Sequence, residues 1–391
     1  MSAVDPYAGR EQTKAKHFIL KRYLQALAFK ILTISDITYV DGFSGPWKSA
    51  TEDFSDSSFM IALQVLQDAQ RKIFERMGER RKVKCFFSEI DPEAFNQLQD
   101  AVARFNKPEE GFQVETYCGK FEDAIPQIKK IIGSSFALIF IDPTGWTGFA
   151  FEKIKEIFSS RMCEILINFM YDHVNRFVAS QDPTTIASLD PILGGPGWRQ
   201  RLNPTLPRGL SVEKLFRETL QSAGKFAYVV STKIDRNTVD RPHFFIAYGT
   251  KNRKGLITFR QIEYDALREQ ARDRATAKER LQEQRSSIAD MFSGHEADVQ
   301  EETIDGIVEA QKVTASAHLL EVLSIRQSLK FLQVVDMLLQ AFVLRETNVK
   351  DICVSLEKAG KIEKTWGPGN KKPKDVDTIK LKKIASPRRN S

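Results

Sequence analysis

Three short stretches of the chain carry residue types whose spacing suits chemistry. The first, "YVDGFSGPW", runs from Tyr39 to Trp47 and closes a β-favouring run with an acid and a glycine-rich turn. Glycine lets a backbone take positive φ and approach a ligand closely. Asp41, Gly42, Phe43 and Gly45 therefore suit a loop that cradles a nucleotide-like ligand, although any tight strand-to-helix turn wants the same glycines. The second stretch, "FFSEIDP", places Glu89 where a carboxylate could bridge two vicinal ribose hydroxyls. Capping the following helix is the alternative for Glu89, and Asp91 competes with it. The third, "ALIFIDPTGW", sets Asp142 directly after an apolar run, followed by Pro143 and Trp146. Asp142 and the Pro143 carbonyl could accept hydrogen bonds from the amino group of a flat base, raising electron density on a nitrogen that attacks an electrophilic methyl. Trp146 would stack on the ring, a contact worth about 1–3 kcal/mol in base-binding sites. A strand-end turn with a buried Trp explains the same residues more plainly.

Such residues need strands that end at a common edge. "DITYVDGF", "KVKCFFSEID", "FQVETYCG", "FALIFIDP" and "CEILINFMYD" read as strands, separated by the amphipathic helices "DSSFMIALQVLQDAQRKIFERM", "PEAFNQLQDAVARF", "FEDAIPQIKKII" and "AFEKIKEIF". Short, nearly continuous apolar strands alternating with helices predict a mostly parallel, doubly wound α/β sheet covered on both faces. In such a sheet ligands bind beyond the carboxyl ends of the strands. An amphipathic helix precedes it, with Phe18, Leu20, Tyr23, Leu24, Leu27 and Ile31 at helical spacing. After a stretch expected to be loop-rich (174–207), "SVEKLFRETLQSAG" predicts a helix, and "KFAYVVSTKI" with "RPHFFIAYGT" a closing pair of strands. The α/β domain is thus expected over residues 1–262.

Residues 263–302 are densely charged with few large apolar side chains, which suits an exposed helix laced with ion pairs or a linker. From 303 to 391, two helices and then "EKTWGPGNKKPKDVDTIKLK", turning at Pro368-Gly369-Asn370, suggest a winged helix-turn-helix with a basic tail. Asn348, Lys350, Asp351 and Ser355 are expected to be exposed on its second helix, and Lys371, Lys372 and Lys374 on the wing. From Lys361 to Ser391, ten Lys and Arg face three Asp and Glu, which equals the net charge of +7 for the whole chain. A basic end of this kind favours nucleic acid, DNA more than RNA, though a solvated tail or a protein partner explains it too.

Other classes find little support. The four cysteines form no CxxC pair, the five histidines are dispersed, and no GxSxG elbow appears, so neither a metal site nor a hydrolase triad is expected. No apolar run reaches membrane-span length and the N-terminus is polar, so the expectation is a cytoplasmic protein without a membrane partner. Cys85 and Cys163 read as buried, inert thiols. "NFMYDHVNR" after the fifth strand brings Asn168, Asp172, His173 and Arg176 to the same edge, as a proton acceptor and a phosphate ligand or simply as a hydrogen-bonded lid. "YCGKFEDAI" ends the third strand with Cys118 and Gly119, where a fold of this kind usually passes an adenine ring, and Lys120 and Phe121 are candidates to flank it.

Taken in order, Tyr39–Gly45, Glu89 and Asp142–Trp146 resemble the cofactor motif, ribose acid and catalytic motif of class I S-adenosylmethionine-dependent methyltransferases. "DPTGW" is similar to the Asp-Pro-Pro-aromatic motif of enzymes that methylate amino groups on DNA and RNA. "YVDGFSGPW", "IFIDPTGW" and "EILINFMYDHVNR" together look like the three-Cys-motif partner protein family, over most of the chain. That resemblance implies a methyltransferase-like domain followed by a winged helix, S-adenosylmethionine as cofactor, and a partner resembling radical-SAM proteins with a three-cysteine motif. Two departures stand out: Trp47 where the family loop ends in Gly, and Thr144-Gly145 where amino-methylating enzymes have a single proline. Three functions follow as expectations. The first is methyl transfer to an amino group of a nucleic-acid base. The second is a catalytically degenerate partner subunit that recruits another enzyme to nucleic acid. The third is a DNA-binding regulator that senses a ligand.

Overall fold

The computed structural model describes residues 7, 10–45, 49, 51–159, 162–235, 242–286, 295–367 and 369–382. Two compact units share the chain: Met1–Gly255 with Asp273–Met291, and Leu256–Arg272 with Phe292–Ser391.

In the first unit, α1 (Glu11–Ile31) leads into β1 (Ile37–Asp41), α2 (Ser58–Met77), β2 (Val83–Glu89), α3 (Pro92–Ala103) and β3 (Phe112–Cys118). Then come α4 (Ile125–Ile132), β4 (Phe136–Ile141), α5 (Phe151–Ile154), β5 (Cys163–Phe169), α6 (Tyr171–Phe177), α7 (Pro183–Leu193), α8 (Arg208–Gly224), β6 (Tyr228–Asp235) and β7 (Pro242–Thr250). The strands form one sheet in the order β3-β2-β1-β4-β5-β7-β6. Its first five strands are parallel, and β7 runs antiparallel to both β5 and β6. This is a mostly parallel, Rossmann-like α/β sheet whose strand order reverses between β1 and β4.

The three central strands β1, β4 and β5 are buried along their whole length. Because side chains alternate along a strand, Ala137, Ile139 and Ile141 of β4 join a core with Ile125, Ile128, Ile165, Ile167 and Phe216 on one face. Leu138 and Phe140, equally buried, point to the other face. That second face also holds a buried polar cluster, in which Tyr23 of α1 donates to Glu164 at 2.5 Å and Thr250 donates at 2.7 Å. Burial raises the Glu164 carboxyl above its ordinary range.

Local signals account for the helix starts. Ser57 caps α2, accepting from the Met60 N–H at 3.3 Å. Asp91 caps α3, accepting from the Ala94 N–H at 2.8 Å, with Pro92 in the first turn. The stretch 174–207 is largely helical rather than loop-rich. Asp182 accepts from the Thr184 and Thr185 N–H groups to start α7, and Gly194 at φ +84° ends it. Pro191 within α7, and the glycines after it, hide this helix from a reading by breakers alone. Trp198, fully buried, pins the stretch to the core.

The charged segment is helical where described, as one of the two expectations had it, but its first part is not wholly exposed. α9 (Arg253–Ser286) is one helix, with Tyr264, Ala266, Gln270, Ala271 and Ala275 buried. Leu256, Phe259 and Ile262 are buried at its start, and beyond Tyr264 the buried apolar positions are the alanines Ala266, Ala271 and Ala275. In the second unit α9 contributes Leu256–Arg272, followed by α10 (His295–Arg326), β8 (Ser328–Lys330), α11 (Phe331–Ala341), α12 (Glu346–Lys358) and β9 (Thr378–Lys380). β8 pairs antiparallel with β9, and an isolated bridge joins Ile362 to Leu381. Arg260 and Glu263 form a buried pair at 2.5 Å, with Arg260 Nε donating to the Leu339 carbonyl at 2.7 Å. No described helix is long and apolar enough to cross a membrane.

Candidate functional site

The β1 loop is latched on both sides. Gly42 N–H donates to the Phe140 carbonyl at 3.1 Å and Ser44 N–H to the Ser88 carbonyl at 2.9 Å. The Ser88 hydroxyl donates back to the Gly42 carbonyl at 2.9 Å. Asp41 shapes this loop from behind: fully buried, it accepts from the Phe43 N–H at 3.1 Å and the Ser58 hydroxyl at 2.8 Å. Burial pushes its carboxyl up to about 6, against the pull of those donors. Trp47 lies outside the described residues.

In front of the loop is a small cavity of about 70 Å³, lined by Gly42, Phe43, Ser88, Glu89, Ile90, Gly119, Lys120, Phe121 and Gly148. Five residues expected at a cofactor site, Gly42, Phe43, Glu89, Gly119 and Phe121, thus meet there from the ends of three strands. Two of them must be glycine or nearly so. A Cβ on Gly42 would lie 2.8 Å from the Phe121 ring, and Gly119 has φ +151° with Tyr117 packed 2.8 Å from where its Cβ would be. Gly45 does not line the cavity, although its backbone dipole acts on the Glu89 carboxylate.

Glu89 does not cap α3, since Asp91 does. It is almost fully buried and accepts from the Asp91 N–H at 2.8 Å. Burial raises its carboxyl, while backbone donors from Asp91, Ile90 and Gly45 oppose that shift. A carboxylate held this way by main-chain donors at a strand end fits the ribose of an adenosyl group. The enclosed volume is well below the ~300–1,000 Å³ of small-molecule sites, so such a ligand would rely on the open mouth or on parting the Phe43 and Phe121 rings, whose centroids are 5.9 Å apart.

Asp142, just past β4, has both oxygens engaged. Lys16 Nζ of α1 donates to Oδ2 at 2.5 Å, and Asn168 Nδ2 of β5 donates to Oδ1 at 2.7 Å. The carboxylate fixes the orientation of the Asn168 amide, because the opposite flip would set two acceptors together. Asn168 Oδ1 is then buried without a hydrogen-bond partner. Pro143 is buried and Thr144 exposed. Trp146 is half-buried against the insert, its Nε1 donating to the Ser188 hydroxyl at 3.2 Å and its ring 4.9 Å from that of Phe177.

Of the remaining edge residues, Arg176 donates to the buried Asp172 carboxylate at 2.9 Å. The His173 side chain lies outside the described residues. Cys85 and Cys163 are buried as expected, and burial pushes the Cys163 thiol up to about 12. Among the described residues no group of three or more His, Cys, Asp or Glu is placed to hold a metal ion.

In the second unit, Asn348 is buried rather than exposed, because its Oδ1 accepts from the Arg345 N–H at 2.9 Å to start α12. Lys350 pairs with Glu346 at 2.6 Å, and Lys372 with Asp351 at 2.6 Å. Lys371 and Lys374 are exposed. Pro368 of the expected wing turn lies outside the described residues.

Sequence reasoning missed Lys16 and His17. His17 is buried beside Lys16, bonds Tyr7 at 3.1 Å, and is pushed down to about 3 by burial and by the Lys16 charge. The one available signal was a Lys-His pair on the polar-to-apolar border of α1.

No family model matches the chain, and no curated protein matches it. Among solved structures it is similar to a Legionella pneumophila str. Philadelphia 1 protein of the DUF519 family, with 13% identity, TM-score 0.34, and coverage of 62% of this chain and 86% of that one. It is also similar to a loganic acid methyltransferase solved with SAH, with 9% identity, TM-score 0.29, and coverage of 78% and 92%.

Proposed function

We propose that the first unit is an S-adenosylmethionine-dependent methyltransferase acting on an amino group, with a nucleic-acid base as the acceptor class. The observation that carries this reading is the meeting of Gly42, Phe43, Glu89, Gly119 and Phe121 at one cavity beyond the reversal of strand order. In this reading Glu89 holds the ribose hydroxyls, the Gly42–Gly45 loop passes beneath the methionine part, and Phe121 flanks the adenine. The bound cofactor supplies an electrophilic methyl. Asp142 and the Pro143 carbonyl orient the acceptor amine and take its N–H hydrogen bonds. Asn168 holds Asp142 and adds a second acceptor in Oδ1. A base within a duplex must first be flipped out.

The second unit is proposed as a winged helix, with α11 and α12 as the helix pair and β8, β9 and the Ile362–Leu381 bridge as the small sheet. Lys371 and Lys374 are its candidate phosphate contacts, because Lys350 and Lys372 are already paired. The test is transfer of labelled methyl from S-adenosylmethionine to DNA and RNA oligonucleotides, with Asp142→Asn as control. Label on a base amino group, reduced roughly 100-fold or more in the variant, supports the reading. Label absent from both nucleic acids removes the acceptor class.

A second reading is a catalytically degenerate subunit that serves a radical-SAM-like three-Cys-motif partner. The Lys16–Asp142 pair favours it, because the oxygen that would receive an acceptor amine already receives an ammonium.

A further inference from the structure

Lys16 is the only residue of α1 whose hydrogen bond to the "DPTGW" motif the described residues record. Its ammonium and the Asp142 carboxylate are each largely shielded, with side-chain exposures of 13% and 15%. A charge pair of that kind is screened much less by salt than one on the surface. Asp142 does not itself line the cavity, but two features link it to that site. Its loop continues to Gly148, which lines the cavity and packs on the Phe43 ring. Its charge also reaches Asp41, the residue that holds the Phe43 N–H. Asp41 and Asp142 are thus two neighbouring carboxylates, and among the recorded ion pairs only Asp142 has a cationic partner, in Lys16.

We propose that Lys16 is a positioning residue that neutralises Asp142, and so sets how strongly the cleft prefers a cationic over a neutral adenosyl ligand. This rests on the cofactor reading given above. S-adenosylmethionine and S-adenosylhomocysteine differ by one methyl group and one positive charge on sulfur. With Lys16 present, the Asp142 anion is spent on the lysine, and the two ligands meet nearly the same field. With Lys16 replaced by a neutral side chain, Asp142 faces the cleft as an unpaired anion and attracts the sulfonium. Asn168 remains to hold Oδ1 in either case, so the carboxylate keeps its orientation. The same device explains why an acceptor-orienting carboxylate would not trap the charged cofactor.

The experiment is calorimetric titration of the full chain with both ligands, in the native protein and in Lys16→Met and Lys16→Arg, each checked for a native melting transition. The expected result is a preference for S-adenosylmethionine over S-adenosylhomocysteine that rises about tenfold in Lys16→Met, with binding of the neutral ligand unchanged. Lys16→Arg, which restores the charge, should return the native ratio. A packing role alone would shift both ligands together. An unchanged ratio in a folded Lys16→Met that still binds the neutral ligand overturns the proposal and leaves the cofactor reading standing. Binding of neither ligand by the native protein overturns both. Should Lys16→Met fail to fold, Lys16→Gln provides the same neutral substitution with a polar end, and the same two outcomes decide.

Discussion

Lys16 Nζ and Asp142 Oδ2 lie 2.5 Å apart although 126 residues separate them in the chain. The first sits on the helix that precedes the sheet, the second on the loop after its central strand. Their meeting ties α1 to the edge where the strand order reverses, and it changes how the acid of "DPTGW" is understood. Asp142 is half of a shielded ion pair, braced on its other oxygen by Asn168.

Asp41 makes stability depend on pH in an unusual direction. Its carboxyl, at about 6 in the fold, lies above the ordinary 3.8, so the folded state holds its proton more tightly than the unfolded state. That contribution is fully present below about pH 4 and is lost as pH rises through 6. Asp41→Asn should remove this falling limb, worth up to about 3 kcal/mol. Denaturant titrations of both proteins from pH 4 to 7 measure it; parallel curves would refute the burial argument.

Asp91 and Glu89 stand two residues apart with different work. Asp91→Ala should cost about 1 kcal/mol through loss of the α3 cap while leaving adenosyl-ligand binding within twofold. Unfolding curves and titrations on the one variant check both halves.

Glu263→Ala should leave the Arg260 guanidinium buried without its carboxylate. The expected cost is about 3–5 kcal/mol, read in calorimetry as a lowered transition for the second unit. A loss under 1 kcal/mol would mean that water reaches the pair.

If the second unit meets nucleic acid, its lysines should differ. Lys371→Ala and Lys374→Ala should each lower the slope of log affinity against log salt by about 1. Lys372→Ala should lower it less, since Asp351 already holds that ammonium. Anisotropy with a labelled duplex between 50 and 200 mM salt, as a range suited to the effect, gives the comparison.

Much of the first unit could be read from the chain because its signals are local. Apolar runs such as "FALIFI" can hardly be anything but central strands, and Pro92 after Asp91 marks a helix start. The cavity residues were legible for the same reason: each ends a strand, and parallel strands bring their ends to one edge. What stayed hidden depends on distant partners. Nothing near Lys16 announces Asp142, and nothing near Trp146 announces Ser188. The helices of 174–207 were obscured by Pro191 and the glycines after it, although Asp182-Pro183 was a start signal in plain view. Asn348 shows the opposite error, since a polar side chain taken for surface is consumed in starting its own helix.

The most direct measurement is titration of the full chain with S-adenosylhomocysteine, in the native protein and in Glu89→Ala. The account predicts micromolar binding, weakened about 10- to 100-fold when the carboxylate that receives the ribose is removed. Absence of binding at millimolar ligand, or binding that Glu89→Ala leaves intact, would contradict it. The Gly42–Phe121 cavity would then be a packing feature of the sheet edge, not a cofactor site.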